Sequence, residues 1–427
     1  MTDRVPQTIA EKILARASGR TSVRPGEYIT ARADSVVVCD LGWPTMGPLF
    51  EQLGVPVFEP ERVVIAFDHT APAETESSAQ LHKIWREFAA RNGITKIHDI
   101  GDQGISHVLS VQKGYARPGT LQVSVDTHAN TCGAVGCFAI AMGMDIISDL
   151  AVGWNWYAVP ESIQVHLEGE LRPGVMMRDV AQHVMTDIGQ DIGRGRVVEF
   201  VGPFVDGASI PALMTLCNWS RKVQAVVGIV NPVPSTVEYV RSRTDVPFEV
   251  LVSDPDAEYV LRRSYDVSAM DPVVAAPPDP LNTKTLAEVG GTTINQAFLG
   301  SCAGGSIEDF RAAASVLKGK RVHEGVRMIA SPGSQETWRQ AEEEGVLRVL
   351  VEAGVLVTGS TCGACYGGAG VLARDEVCIS TSTENFAGRM GSQFSSVYLA
   401  SPLTVAASAI AGRIVGSDLF AEEGAFA

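Results

Sequence analysis

Apolar positions along the chain follow two alternating rhythms. Short β-branched runs, such as "SVVVCD" (35–40) and "RVVIAFDH" (62–69), have the length and composition of buried strands. Between them lie stretches with helical spacing. "SAQLHKIWREFAARNG" (78–93) predicts a helix that stops at Gly93, in the manner of a glycine C-cap. Near the start, Thr8 and Glu11 precede Ile13 and Leu14 as a capping box that opens a helix. Strands alternating with helices predict βαβ units and mostly parallel sheets.

The same rhythm returns toward the C-terminal end. "TTINQAFLGSC" (292–302) predicts a buried strand ending at Cys302. "SIEDFRAAASVLKGK" (306–320) follows as a helix with Ser306 as N-cap, an apolar stripe of Phe310, Ala313, Ala314 and Leu317, and a stop at Gly319. "GVRMIASPGSQETWRQAEEEG" (325–345) is another strand, turn and helix. "GVLVTGSTCGACYGGAGVL" (354–372) opens with a strand and puts Cys362 and Cys365 in the loop after it. If these strands share one parallel sheet, three cysteines reach the same edge, where open α/β sheets bind ligands. The helix N-terminus beyond Cys302 is expected to favour its thiolate. The proline-rich "DPVVAAPPDPLNTKT" (271–285) reads as an irregular linker, and a weaker boundary lies near 157–170.

A length of 427 residues exceeds what one hydrophobic core usually serves. The net charge of −15 opposes binding to a phosphate backbone, and no lysine- or arginine-rich run offsets it, so nucleic acid is not an expected partner. The start has no apolar signal segment. The most apolar long stretch, 132–147, is too short to span a bilayer and carries Asp145. The expectation is a soluble, cytoplasmic protein without a membrane partner, in which eight cysteines are not a disulfide framework.

Read from the residues alone, the cysteine set leaves several chemistries open. Free cysteine is often buried for packing, but the glycines flanking Cys362 and Cys365 leave little core to pack. Structural zinc wants four closed ligands, and the nearest spare cysteine, Cys378 in "EVCIS", alternates like a strand residue. A cluster held by three cysteines would leave one iron open. Spacing does not choose between zinc and iron. In the N-terminal part, Asp68-His69, His107 and Asp126-Thr127-His128 place three histidines among carboxylates. A histidine held by a carboxylate can give a proton to a leaving hydroxyl near neutral pH.

Ordered stretches along nearly the whole chain resemble the aconitase superfamily, in particular its isopropylmalate dehydratase large subunits. They include "DHTAP" (68–72), "DQGISH" (102–107), "VDTHANTCGAVGCFA" (125–139), "VPESIQVHLEG" (159–169), "MTLCN" (214–218), "GSCAGGSIEDFRAAA" (300–314), "STCGACYGG" (360–368) and "STSTENFAGRMGS" (380–392). The resemblance implies an α/β fold of three α/β/α domains around a central cluster-binding cleft. On this chain those are 1–160 with the Asp/His pocket residues, 161–280, and 281–427 with the cluster cysteines. It implies that Cys302, Cys362 and Cys365 hold a 4Fe–4S cluster whose fourth iron binds substrate. Asp68-His69 would be the proton donor, and His107, Asp126 and His128 would line the pocket with Thr127, where the family has serine. The proton-abstracting serine belongs to a swivelling domain, in this branch a separate small subunit, so the chain would be half of a hydro-lyase or isomerase.

Four stretches depart from the family pattern. Ala303-Gly304 replace Thr-Asn after the first cysteine, Ser306 replaces an arginine, Glu384 replaces the arginine of Asn-Arg-Asn-Phe, and Lys222 replaces an acidic residue after "LCN". Arg389 remains as a carboxylate clamp. Lys222 and Glu384 read as a coupled charge swap beside His128. The substrate implied is a 2-hydroxy acid related to isopropylmalate, with a cationic group or one carboxylate fewer. The competing expectation is a non-catalytic or regulatory relative holding a cluster or zinc.

Overall fold

The computed structural model describes residues 5–420; the first and last few residues of the outer expected domains lie outside that range. The capping box forms as expected. Thr8 accepts from the Glu11 amide, and Glu11 accepts from the Thr8 amide, opening the helix Ile9–Ala17. A short antiparallel ribbon pairs β1 (Tyr28–Ala31) with β7 (Asn155–Ala158). Between them lies a five-stranded parallel sheet built from β2 (Ser35–Cys39), β3 (Val63–Ala66), β4 (Lys96–His98), β5 (Leu121–Ser124) and β6 (Phe138–Ala141), in the order β4-β3-β2-β5-β6. The β-branched runs seen in the sequence are its central strands, and every residue of β2 and β3 is buried. The helix predicted at 78–93 runs Glu76–Asn92, capped by Thr75 and ended by Gly93 in the left-handed conformation.

A second parallel sheet comprises β8 (Ser162–Glu168), β9 (Val197–Val201), β10 (Val227–Val230) and β11 (Leu261–Asp266), in the order β10-β9-β8-β11. The third has seven strands: β12 (Val273–Ala275), β13 (Thr283–Thr285), β14 (Gln296–Gly300), β15 (Arg327–Ser331), β16 (Leu356–Val357), β17 (Val377–Ser380) and β18 (Ser396–Leu399). Their order is β13-β12-β18-β17-β14-β15-β16, parallel except where β12 meets β13 and β18. We propose the three sheets as the cores of the three domains. Among the described residues no helix is long and apolar enough to cross a membrane.

The stretch 271–285 is not irregular. Its apolar start, Val273–Ala275, is buried as β12, and Thr283–Thr285 returns as β13. Pro277, Pro278 and Pro280 fall in the connection between them, where no ladder amide is needed. The strand expected over 292–302 is shorter, ending at Gly300. Ser301 has φ +70°, a left-handed turn that throws Cys302 clear of the strand. Cys378 lies in β17, as its alternation indicated.

In both outer sheets the chain runs outward from a central strand and then restarts on its other side. That reversal falls between β2 and β5 in the first sheet and between β14 and β17 in the third. Such switch points leave a crevice at the carboxyl ends of the strands. The two crevices meet: Thr383, after β17, reaches His128, after β5, and the loop after β16 reaches the loop after β3.

Candidate functional site

The first sheet contributes its acidic and imidazole groups in strand order. Asp40 follows β2, Asp68-His69 follow β3, and Asp126-Thr127-His128 follow β5. His107 is the second residue of the helix Ser106–Gln112, beyond β4, rather than at a strand end. His69 Nδ1 stands 2.7 Å from Asp68 Oδ1 and 3.1 Å from Asp40 Oδ1. Asp40, with no exposure, also accepts from the His69 amide and from the Thr70 amide and hydroxyl. The Thr70 hydroxyl in turn meets His82 Nε2 at 3.0 Å.

Burial opposes charge on His69, but the neighbouring Asp68 and Cys362 charges and the bonds to Asp40 and Asp68 raise its pKa well above the ordinary value. Burial is also the main influence on Asp68, lifting it to about 6 against the pull of His69. Asp126 lies among His107 Nδ1 at 3.4 Å, His128 Nδ1 at 3.8 Å and His69 Nε2 at 4.0 Å. Burial works against its charge, yet those three imidazoles bring it down to about 2. His107 goes the other way, pushed down to about 4 by burial. Of the group's three imidazoles, His69 is thus biased toward its charged form, and burial biases His107 and His128 toward the neutral one.

The third sheet brings the cysteines. Cys302 follows β14, and Cys362 and Cys365 follow β16, with Gly363 between them at φ +51° to keep the turn tight. β14, β15 and β16 are parallel neighbours, so all three thiols reach one sheet edge, as the spacing anticipated. The expected helix-assisted thiolate at Cys302 is not found. That helix starts at Ile307, its first turn is capped by Ser306, and burial pushes the Cys302 thiol well above its ordinary pKa. Asn218 donates to Cys302 Sγ at 3.1 Å, and Arg389 donates to the Cys365 carbonyl at 2.7 Å and reaches its sulfur at 3.7 Å.

The cysteine loop is stitched to the acid. The Cys362 amide donates to the Asp68 carbonyl at 2.7 Å, and the Thr361 hydroxyl donates to the Asp68 and His69 carbonyls at 2.8 and 3.1 Å. From the middle of the chain, Lys222 projects into the same cleft. Its ammonium bonds Glu384 Oε1 directly and stands 3.2 Å from His128 Nε2. The Lys222 side chain is 2% exposed and that of Glu384 25%. The two therefore meet at their tips, Lys222 shut off from bulk water and Glu384 at its margin. Burial works against the Glu384 charge, but His128 and Lys222 hold it at about 2.

Thr127 lines the cavity beside His69 and Asp126. Ser306 is occupied as an N-cap, its hydroxyl 2.6 Å from Asp309 Oδ2; it borders one cavity with Arg178 and Thr215 and another with Cys302. Sequence reasoning passed over Asp40, Asn218, Thr383 and Arg178. The buried Arg178 guanidinium donates to the Thr381 and Ser382 carbonyls and lies over Trp219, 4.2 Å from the ring centroid. The available signals were the strand-terminal position of Asp40 in "SVVVCD" and the Asn of "MTLCN".

Comparison with known proteins agrees with this architecture. The family model described as aconitase family (aconitate hydratase) matches residues 11–290 and 281–412. The chain is 43% identical over 411 residues to the 3-isopropylmalate dehydratase large subunit of Heliobacterium modesticaldum, covering 96% of this chain and 98% of that one. It is 42% identical over 417 residues to the probable methanogen homoaconitase large subunit of Methanothermobacter thermautotrophicus, covering 96% and 97%. Among solved structures, holo aconitase X from Thermococcus kodakaraensis shares the fold at a TM-score of 0.50, with 12% identity, over 83% of this chain and 84% of that one. By its sequence and its fold, this chain belongs to the aconitase family.

Proposed function

We propose that the chain is the large subunit of an iron–sulfur hydro-lyase or isomerase that removes water from, or adds it to, a 2-hydroxy acid. Cys302, Cys362 and Cys365 would hold one 4Fe–4S cluster, and a separate small swivel-domain subunit would complete the site. The relatives named as 3-isopropylmalate dehydratase and homoaconitase large subunits support the reaction class and the division of labour. The observation that carries the reading is the stitch between the Cys362 amide and the Asp68 carbonyl, which sets the thiol loop against a carboxylate-held imidazole.

The donor set fits such a cluster. Three thiols share one sheet edge, and the positive charges of Arg178, Lys222 and Arg389 act on them. Asn218, which donates to Cys302 Sγ, has a buried Oδ1 without a partner among the described residues. When bound, the cluster supplies a Lewis-acidic iron for the substrate's hydroxyl and carboxylate. The chain's own residues hold the proton. With Nδ1 taken by Asp68 and Asp40, His69 keeps Nε2 for the leaving hydroxyl, steadied by the nearby Asp126 carboxylate. Arg389, with no carboxylate within ion-pair distance among the described residues, offers its guanidinium to a substrate carboxylate. Lys222 is neutralised by Glu384, which supports a substrate with one carboxylate fewer or with a cationic group.

Protein purified without air, alone and with its small subunit, should contain iron and acid-labile sulfide, and the assembled pair should dehydrate a 2-hydroxy acid that has one carboxylate fewer than isopropylmalate or carries a cationic group, or hydrate the matching unsaturated acid. Zinc in place of iron, or no metal, would overturn the reading.

A further inference from the structure

A second set of metal-ligating atoms adjoins the three cysteines. Cys39 ends β2, Asp40 follows it, and Asp68 and His69 follow the neighbouring β3. One ligand atom from each of the four lies within 4.8 Å of the others. Ligand atoms about 2.0–2.3 Å from a tetrahedral zinc stand about 3.3–3.8 Å apart, so the group needs to draw in by only about an ångström. Cys39 is 5% exposed, and Asp40 and Asp68 are fully buried. A route in exists. Cys39 and His69 line a cavity of about 260 Å³ that is bordered by the exposed Leu41.

The chemistry of the set favours a dication. The proton on His69 Nδ1 is the charged donor shared by two buried carboxylates, whose other donors are neutral, among them the His69 and Thr70 amides and the Thr70 hydroxyl on Asp40, and the Ser106 amide on Asp68. Like charges so close in a dry site call for more positive charge than one proton brings. Thiol, imidazole and carboxylate together form a donor set suited to zinc.

We propose that Cys39, Asp40, Asp68 and His69 form a binding site for a thiophilic divalent cation, of which zinc is the type, distinct from the three-cysteine site. The cation enters as the protons on His69 Nδ1 and Cys39 Sγ leave. Metal–nitrogen, metal–sulfur and metal–oxygen bonds replace the hydrogen bonds from Nδ1 to the carboxylates. One dication for two protons leaves the net charge of the buried group unchanged, and no electron moves. Occupancy holds the imidazole uncharged, so Nε2 no longer gives up a proton readily. The site is therefore inhibitory. That consequence rests on the role proposed for His69; the site itself does not.

The test uses cobalt(II) as the probe, on the full chain with Cys302, Cys362 and Cys365 all changed to serine so that no cluster ligand competes. One equivalent should bind with thiolate-to-cobalt charge-transfer absorption. Adding Cys39→Ser should abolish that absorption and weaken binding at least tenfold, while adding Cys137→Ser should change neither. Absence of the absorption, or its survival without Cys39, overturns the site. Should the triple variant fail to fold, the same titration on iron-stripped wild-type chain must lose one equivalent on Cys39→Ser, and no loss overturns it. With the assembled holoenzyme, zinc should inhibit reversibly on chelation, and Cys39→Ser should raise the concentration needed at least tenfold; equal sensitivity overturns the inhibitory role. Cobalt binding through Cys39 in a chain without hydro-lyase activity would keep the site and remove the proposed function.

Discussion

Changing Glu384 to Gln removes the one carboxylate among the described residues that touches the buried Lys222 ammonium. Breaking a buried pair by deleting one partner costs about 3–5 kcal/mol. The quarter-exposed Glu384 side chain lets some water reach the ammonium, which lowers the expected cost to about 2–4 kcal/mol. A ceiling also applies, because Lys222 can discharge. With an ordinary lysine pKa of about 10.4, losing the proton at pH 7 costs about 4.6 kcal/mol, and at pH 8.5 about 2.6 kcal/mol. The cost of Glu384→Gln should therefore shrink as pH rises. Lys222→Met should be milder, on the order of 1–2 kcal/mol, because Glu384 keeps His128 at 3.7 Å and can turn toward water. Urea unfolding followed by tryptophan fluorescence, on wild type, both single variants and the double variant, gives the coupling energy. About 2 kcal/mol is expected. Additivity within about 0.5 kcal/mol, or a Glu384→Gln cost that stays well above about 2.6 kcal/mol at pH 8.5, would refute the reasoning.

Serine in place of Cys302, Cys362 or Cys365 should each prevent retention of iron and sulfide, whereas Cys378→Ser, buried in β17, should not; loss of iron from the latter would indicate a fourth cysteine ligand. Glu384→Arg alone should reduce activity more than the paired Lys222→Glu/Glu384→Arg change, which restores a neutral pair, and equal losses would argue against coupling. The purified chain alone should not turn over substrate; full activity without a second polypeptide would remove the small subunit from the proposal. Burial raises Asp149 to about 6 while Asn155 donates to it at 2.8 Å. Its folded pKa lies above an unfolded value of about 3.9, so the folded state keeps the proton longer. Stability from this group should decline by about 3 kcal/mol as pH rises from 4 through 6. Asp149→Asn should lose that slope in unfolding measured across the range, and an unchanged slope would place the titration elsewhere.

Fold and site differ in how far the sequence reveals them. The β-branched runs at 35–40 and 62–69 show their strands because both faces are covered and every position must be apolar. The Ser306 and Thr8 caps are equally legible, being local bonds between residues three apart. The hairpin at 273–285 escapes notice because its prolines signal disorder, while what orders it is pairing with the distant β18. The three cysteines can be placed by strand-end logic. Asp40 cannot be recognised as a second carboxylate on His69, since that contact depends on β2 and β3 lying side by side. The Cys302 thiol misleads for a related reason: the helix beyond it suggests a favoured thiolate, but burial, a property of the packed whole, decides otherwise.

The bonds from Cys362 and Thr361 to the carbonyls of Asp68 and His69 all end on main-chain oxygen, and the shortest of them begins on a main-chain amide. Such a seam is indifferent to which side chains stand at 68 and 362, but not to how many residues lead up to them. Replacing the acid or a thiol alters chemistry in place, with the two loops still aligned. Adding or deleting one residue in either loop would slide Asp68-His69 past the three cysteines by a full backbone step. The site is thus built to tolerate changes of composition and to reject changes of length, and the substitutions at 303, 304 and 384 are all of the tolerated kind.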